Sequence, residues 1–464
     1  MPIDVDVLVL GAGISGLATA HGLQKRGATV ELLESGPRAG GVIGTRHRNG
    51  ALVEHGPNSA LDTSPLINEL IDGAGLREER TEASAVAATR FIVRDGRLVA
   101  LPTSPGAFLT TRAFSPRAKW KLAREPFVPP APAGAEESIA DFVRRRLGSE
   151  FLDYAIDPFV AGVYAGDPER ISVRAAFPRL HALEQKYGSL IKGQILGARE
   201  RRKSGEKAKN AAGSFSFRGG MQSLTDALAA AVGRIETGVT ARRIERGTDG
   251  TWTVAGARGG DPVLRRARAV VLAVPAFEAA KLLRELWPPA TRGLAAIPYA
   301  AVASVATAYR RADVAHPLAG FGFLVPRKES RHILGSLFSS SMFEGRAPQG
   351  MVLLTTFVGG TRNPDLLAQS DGALGALVHE ELATLVGASA PPQWIDLTRW
   401  THAIPQYNLG HAERVRPLED AERGQPGLFV CGSYRGGVSV GDCIKSAHAT
   451  ADAVSRFLVG VGPA

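Results

Sequence analysis

Cysteine is almost absent from this 464-residue chain. There are two, Cys431 and Cys443, at a spacing of twelve. No Cys-x-x-Cys pair and no cysteine–histidine cluster accompanies them, which excludes a zinc site and a disulfide framework and makes a reducing compartment the expectation. No apolar run reaches the ~18 residues that cross a bilayer. Met1 to Asp6 lead straight into a strand, so no signal peptide is expected. Internal repeats and nucleic-acid modules are missing as well. Acidic residues are the minority, 45 against 55 Lys and Arg, and the net charge of +10 favours contact with polyanions, anionic lipid or acidic substrates without choosing among them. The length suggests two or three domains, at ~100–200 residues each.

What is present begins at once. Val5, Val7 and Val9 alternate in a strand that ends at Leu10. Gly11-Ala-Gly13-Ile14-Ser15-Gly16 follows, then a helix from Leu17 to Arg26 that stops at Gly27, and a second strand, Thr29 to Glu34. Gly11 permits the tight turn, Gly13 lets the backbone approach a pyrophosphate, and Gly16 lets helix and strand pack closely. The helix N-terminus offers free N–H groups to phosphate. Glu34, eighteen residues after Gly16, is placed to accept ribose hydroxyls. The motif alone does not separate NAD from FAD. Arg38-Ala-Gly40-Gly41, soon followed by Gly56-Pro57-Asn58, resembles the Arg-x-Gly-Gly segment that cradles the FAD pyrophosphate in amine-oxidase-like flavoproteins. No second strand-linked Gly-x-Gly-x-x-Gly occurs, so an organic substrate rather than NAD(P)H is expected to reduce the flavin.

Further along, Phe91 to Leu101 reads as a hairpin turning at Asp95-Gly96. Residues ~95–210 read as helical with basic clusters, and Ala269 to Pro275 as a buried strand. Gly320 to Val325 and Met351 to Phe357 read as strands. Gly427 to Cys431 is a strand that leads through the glycine-rich Gly432–Gly441 turn into a helix from about Asp442 to Phe457. A helix N-terminus aimed at the flavin pyrimidine ring would stabilise the reduced anion.

Six stretches are specific beyond any generic flavin signature. They are Asp153–Gly162 with Gly166-Asp-Pro168, Gly213–Gln222, Gly320–Pro326, Leu334–Ser340, Thr355–Arg362 and Arg435–Gly441. Over nearly its whole length the chain resembles the protoporphyrinogen IX oxidase family, in its oxygen-dependent plant and bacterial form, within the amine-oxidase-like flavoproteins. The resemblance implies an α/β fold. A Rossmann-like FAD-binding domain, discontinuous over 1–90, 213–275 and 398–464, would carry a mixed-sheet substrate domain over 276–397 and a helical membrane-binding insert over 95–210.

The same resemblance implies an enzyme of haem biosynthesis that removes six electrons from a porphyrinogen in three two-electron steps. FAD would be its cofactor, O2 the acceptor and H2O2 the by-product. Arg94 falls where the family pairs an arginine with a substrate propionate, and Phe321, Leu324, Leu337 and Phe357 where rings sandwich the macrocycle. Gly162 falls where backbone approaches substrate, and Asn58 near both flavin and macrocycle. The cofactor set implied is Gly11, Gly13, Ile14, Ser15, Gly16, Glu34, Ser35, Arg38, Gly40, Gly41, Gly56, Pro57, Asn58, Val239, Val274, Gly432, Val438 and Val440. No side-chain base announces itself; His402 and His411 read as structural. Coproporphyrinogen III, with four propionates, is the competing substrate, and amine oxidation a more distant one.

Two basic runs carry the partner expectations. Arg112, Arg117, Lys119, Lys121 and Arg124 interleave with Phe114 and Trp120, and Arg199, Arg201, Arg202, Lys203, Lys207 and Lys209 follow later. Basic residues beside aromatics fit monotopic docking on an anionic bilayer, hence a cytoplasmic protein at the membrane periphery. A homodimer and product handover to a ferrochelatase complete the expectations.

Overall fold

The computed structural model describes residues 3–132, 134–196 and 212–460. The opening valine alternation forms the strand Val5–Leu10, almost wholly buried. It lies parallel between Val30–Glu34 and the far half of the long strand Asp261–Leu272. A branched apolar run without a wet face is what a central parallel strand requires. Ile235–Thr237 extends the layer beyond Val30–Glu34, and Leu428–Val430 extends it beyond Asp261–Leu272, both parallel. The near half of Asp261–Leu272 instead joins an antiparallel meander with Trp252–Arg258 and Val239–Arg246. This seven-stranded sheet thus collects three stretches distant in sequence.

Helices cover both faces of the parallel layer. On one, Leu17 and Ala20 of the helix Ile14–Gln24 pack with Ala447, Ala451 and Val454 of the helix Val440–Leu458, and with Leu224 and Leu228 of Gln222–Val232. On the other lie Ala276–Leu282, Pro288–Ala295 and His411–Gly424. The last helix starts two residues before the expected Asp442, because Ser439 caps it by accepting from the Asp442 N–H at 3.2 Å.

A second seven-stranded sheet runs in the order Trp394–Pro405, Tyr299–Arg310, Met351–Gly359, Ile333–Leu337, Gly322–Leu324, Arg90–Arg94, Arg97–Ala100. Its pairs are antiparallel except where Gly322–Leu324 meets Arg90–Arg94. The hairpin turns as expected: Asp95 and Gly96 both take positive φ, 52° and 73°, the requirement of a type I′ turn. Strand pairing therefore draws residues 90–100 into this sheet and carries it to Pro405, beyond both ends of the 276–397 segment. One face closes over Phe323, Val325, Phe338 and Val358 beneath the helix Asp371–Val386.

The segment between hairpin and residue 196 is helical, around a core that includes Phe114, Phe142, Phe151 and Tyr164. One sequence reading changes here, and one buried charge comes into view. Phe114 stacks on Phe151 with centroids 4.5 Å apart and is buried, so of the expected aromatic pair only Trp120 is outward. Arg146, last of the triplet Arg144–Arg146, is fully buried. It donates to Glu125 at 2.7 Å, to Glu184, and to the Gly188 carbonyl at 2.8 Å. Among the described residues no helix is long and apolar enough to cross a membrane. The second basic run, Arg199 to Lys209, lies outside the described residues.

Candidate cofactor and substrate site

The sequence-nominated cofactor residues gather at the carboxyl ends of the parallel strands. Gly11 follows Leu10, Glu34 closes Val30–Glu34, Val239 follows Ile235–Thr237, Val274 follows Leu272, and Gly432 follows Val430. The crevice outside strand carboxyl ends is where open α/β sheets bind ligands. Gly11 (φ +98°) leaves no room for a side chain, since a Cβ there would lie 2.7 Å from the Ala273 oxygen and 3.1 Å from Val274. A Cβ on Gly16 would lie 1.9 Å from the Gly11 oxygen. Gly13 differs, because its missing side chain points at no protein atom within 4 Å. The space reserved there borders the start of the first helix, where Ile14 and Ser15 form the first turn.

The second glycine pair closes on this turn. The Gly40 N–H donates to the Ala12 oxygen at 2.8 Å, and a Cβ on Gly41 would stand 3.2 Å from the Gly13 Cα. Arg38 holds the loop by donating to the Ala39 and Ile43 carbonyls at 2.9 Å and to that of Gly41 at 3.2 Å. Glu34 accepts from the Ala12 N–H at 2.8 Å and the Gly36 N–H at 2.6 Å, and from the Ser35 hydroxyl at 3.4 Å. Carboxylate oxygens have about four lone-pair sites between them, so acceptor capacity remains for a ribose. The Gly238 N–H reaches the Gly36 oxygen at 2.9 Å and thereby sets Val239 beside the same loop. Gly56 abuts the Val42 carbonyl, 2.0 Å from where its Cβ would be. The cradle at Gly13, which no protein side chain enters and which two glycine turns and a carboxylate flank, fits a dinucleotide pyrophosphate and its ribose. At the far end Val438 is half-buried and Val440 opens the last helix. The turn before it is fixed by Tyr407, whose hydroxyl donates to the Ser433 oxygen at 2.7 Å and accepts from the Gly437 N–H at 3.0 Å.

One face of the second sheet packs under the helix Asp371–Val386, and the other carries Leu324, Leu337 and Phe357. Residues directly opposite on paired strands share a face. Leu324, Gly335 and Phe357 form one such row, and Gly322, Leu337 and Thr355 the next. Arg90, Ile92 and Arg94 belong to the same face through the register Gly322–Arg90 and Leu324–Ile92. Phe321, Leu324, Leu337 and Phe357 are each half-buried, whereas Phe323, Val325 and Val358 behind them are buried. Plain core would show no such difference. Gly322 and Gly335 keep the face level: Cβ atoms there would lie 2.2 and 2.5 Å from the Ser336 and Phe323 carbonyls. Gly162, on the helix Asp157–Tyr164, comes close to Leu324, with 2.7 Å between its notional Cβ and Cδ2. Asn58 lines a pocket with Glu54, Ser339, Arg346 and Thr355, so the cofactor loop touches the slot face. There burial pushes the Glu54 carboxyl up against the pull of Arg346 at 3.3 Å.

Arg94 belongs to this face, but its side chain is engaged. It lies over the Tyr154 ring at 4.2 Å, contacts Glu150 at 3.0 Å and donates to the Ala113 carbonyl. His402 is exposed against Phe277. His411 is buried, stacked on Tyr407 at 4.1 Å, with Nε2 3.0 Å from the Tyr434 oxygen and burial pulling its pKa down to about 4.

Sequence reasoning missed one clamp. The buried Asp157 accepts from the Arg327 N–H at 2.7 Å and from Arg362 at 3.0 Å, while Arg362 also donates to the Val325 carbonyl at 2.7 Å. It ties the helix bearing Gly162 to the loop after Leu324. The signal was an acid and an arginine in two separate motifs.

The chain belongs to the flavin containing amine oxidoreductase family, whose pattern it matches over residues 14–455, and it is therefore a flavin-dependent oxidoreductase. Within that class it is 33% identical to protoporphyrinogen oxidase 2 of Arabidopsis thaliana, over 97% of this chain and 94% of that one. To the coproporphyrinogen III oxidase of Bacillus subtilis (strain 168) it is 28% identical, over 97% and 98%. A crystal structure from Exiguobacterium sp. 255-15, provisionally named a protoporphyrinogen oxidase, superposes with a TM-score of 0.80 at 25% identity, covering 97% of this chain and 99% of that one.

Proposed function

We propose that this protein oxidises protoporphyrinogen IX to protoporphyrin IX. Six electrons and six protons leave the macrocycle in three two-electron rounds and pass to three O2, giving three H2O2. The observation that carries the reading is the half-buried apolar set Phe321, Leu324, Leu337 and Phe357 on the second sheet, which meets the segment after the second glycine pair where Asn58 and Thr355 line one pocket. A flat tetrapyrrole calls for a wide apolar slot with few polar anchors. In this reading the described parts of 1–89, 213–275 and 406–464 hold FAD, 276–405 with the 90–100 hairpin hold substrate, and the helical segment 101–196 faces the membrane.

Gly11, Gly13, Gly16, Gly40 and Gly41 would hold the pyrophosphate, Glu34 the ribose, and Asn58, Val438 and Val440 the ring end. Bound FAD supplies a two-electron acceptor. The chain supplies position and dryness. Leu324, Leu337 and Phe357 would present the macrocycle to the flavin, and Gly162, packed directly against Leu324, would set the margin of that face. Arg94 would anchor a propionate with the donors that Glu150 and Ala113 leave free. Between the Arg90–Arg94 and Met351–Gly359 strands the face carries no carboxylate and no imidazole, so no side-chain base is assigned. The deciding experiment is porphyrin fluorescence under air with flavin-loaded protein, offering protoporphyrinogen IX and coproporphyrinogen III side by side. Faster turnover of the former is expected. Faster turnover of the latter moves the assignment to the Bacillus-type reaction, and turnover of neither ends it.

Membrane contact belongs to the same proposal. Phe127 (82% exposed), Trp120 (59%), Leu109, Ile195 and Leu196 stand out of the helical segment, among Arg112, Arg117 and Arg124. Lys119 is excluded from the docking set because it donates to the Leu109 and Thr111 carbonyls at 2.8 Å. Exposed aromatics at ~1.5–3 kcal/mol each and basic side chains at ~1 kcal/mol each suffice for an interfacial contact. Replacing Trp120 and Phe127 together by serine is expected to weaken sedimentation with phosphatidylglycerol-containing vesicles at least about tenfold, with turnover in detergent intact. Unchanged vesicle binding would remove this surface from consideration.

A further inference from the structure

We infer that Arg90 is a second carboxylate anchor, so that the slot recognises a macrocycle carrying two acid arms along one edge. This rests on the tetrapyrrole reading and adds to it the residue that fixes how the acid edge is held.

Arg90 opens the strand Arg90–Arg94 and pairs directly with Gly322 on the slot face. Gly322 is buried and has no room for a side chain, a Cβ there lying 2.2 Å from the Ser336 carbonyl, so no side chain stands between Arg90 and the neighbouring strand. The Arg90 guanidinium lies over the Phe321 ring, 5.2 Å from its centroid. Stacking on an aromatic face holds a guanidinium flat and leaves its N–H edge free for an in-plane, bidentate carboxylate. The residue is exposed, and its guanidinium forms no ion pair or hydrogen bond with any of the described residues.

Arg94 repeats the arrangement two pleats further along. It also lies over an aromatic ring, that of Tyr154, but its charge is already met by Glu150. Of the two arginines on this face, Arg90 is the one whose charge is unanswered. Four residues of extended strand separate their Cα atoms by roughly 13 Å at ~3.3 Å per residue. Ile92 lies between them on the same strand face, but it is buried in the core that includes Phe114 and Phe151. Two guanidiniums thus stand on either side of a covered apolar residue. That spacing suits a ligand whose flat apolar body meets the half-buried Leu324 while two flexible carboxyalkyl arms diverge toward the arginines.

The test uses flavin-loaded full-length protein in detergent, with stable porphyrins as probes. Protoporphyrin IX and its dimethyl ester share a macrocycle and differ in the two acids. Fluorescence titration of wild type, Arg90→Gln and Arg90→Lys gives the dissociation constants. Arg90→Gln is expected to weaken the diacid about tenfold, as for loss of one charge-assisted pair, and to leave the diester within twofold. Arg90→Lys is expected to recover part of the loss. In turnover the loss should fall on KM and not on kcat, because the arm is held alike before and during reaction. An equal loss for diacid and diester would show that Arg90 only orders the Phe321 ring, and the proposal would fail. It would fail equally if the diacid binds Arg90→Gln as it binds wild type. Wild-type protein that binds the diacid but oxidises no porphyrinogen would defeat the proposed reaction, while the diacid–diester comparison still judges Arg90.

Discussion

Gly13→Val protein is expected to fold and to come out colourless, whereas Gly16→Val protein is expected not to fold. The two positions are three residues apart in one motif, and the structure separates them sharply. A Cβ at Gly16 meets a backbone oxygen at 1.9 Å, and backbone in a central strand–helix turn cannot step aside. A Cβ at Gly13 meets no protein atom within 4 Å, so the backbone there leaves room for a branched side chain to begin. What it would fill is the cradle between Gly11–Gly16 and Gly40–Gly41. FAD affinity of Gly13→Val should drop by at least about a hundredfold, ~2.7 kcal/mol, while its melting temperature measured without cofactor stays within a few degrees of the apo wild type. Retention of yellow protein with wild-type affinity would show that the phosphates do not pass this glycine, and the cofactor site would have to be redrawn.

The second large effect is on stability. Arg146→Met is expected to destabilise the helical segment by about 3–5 kcal/mol, the range for removing one partner of a buried ion pair. Burial alone would raise the Glu125 carboxyl. The Ser189 hydroxyl and the Leu190 and Ile191 N–H groups, together with Arg146, hold it below the ordinary value. Glu184 is likewise buried and likewise lowered through Arg145 and Arg146. Without Arg146, two buried carboxylates would lose their shared cation. Depressed carboxylates contribute stability above their unfolded pKa and lose it as pH falls through the folded value. The wild-type advantage over Arg146→Met should therefore be full near neutrality and shrink in acid. Chemical unfolding monitored at pH 7 and pH 4 measures both points. A difference under about 1 kcal/mol at pH 7 would mean that the network is ornamental.

How much of this was readable without coordinates varies with the physics involved. The nucleotide turn was legible because glycine is the only residue that solves three local steric problems at fixed spacing, and because the flanking strands are buried on both faces. The Asp95-Gly96 hairpin was legible for the same local reason. Phe321, Leu324, Leu337 and Phe357 were nominated residue by residue, through resemblance, and no pattern in the sequence marks the sheet face that carries Leu324, Leu337 and Phe357. Its alternation of half-buried and buried side chains depends on pairing among strands up to hundreds of residues apart. Arg146 was illegible: in sequence it closes a charged triplet that looks solvated, and only the convergence of Glu125, Glu184 and the Gly188 carbonyl makes it interior. Phe114 erred in the opposite sense, since a phenylalanine among basic residues suits either lipid or core, and Phe151 decides the matter. Arg94 lies on the same strand face as Arg90 and Ile92, yet its engagement by Glu150 comes from a helix that no local pattern could aim.

The parallel layer draws on residues 5–34, 235–272 and 428–430, and the helix Val440–Leu458 closes over its first helix. During synthesis, then, the glycine turn emerges early but has no neighbours on one side until residues 428–458 have left the ribosome. Flavin capture must wait for that segment, and a nascent chain stalled before residue 428 would carry the fingerprint without the means to retain what it recognises.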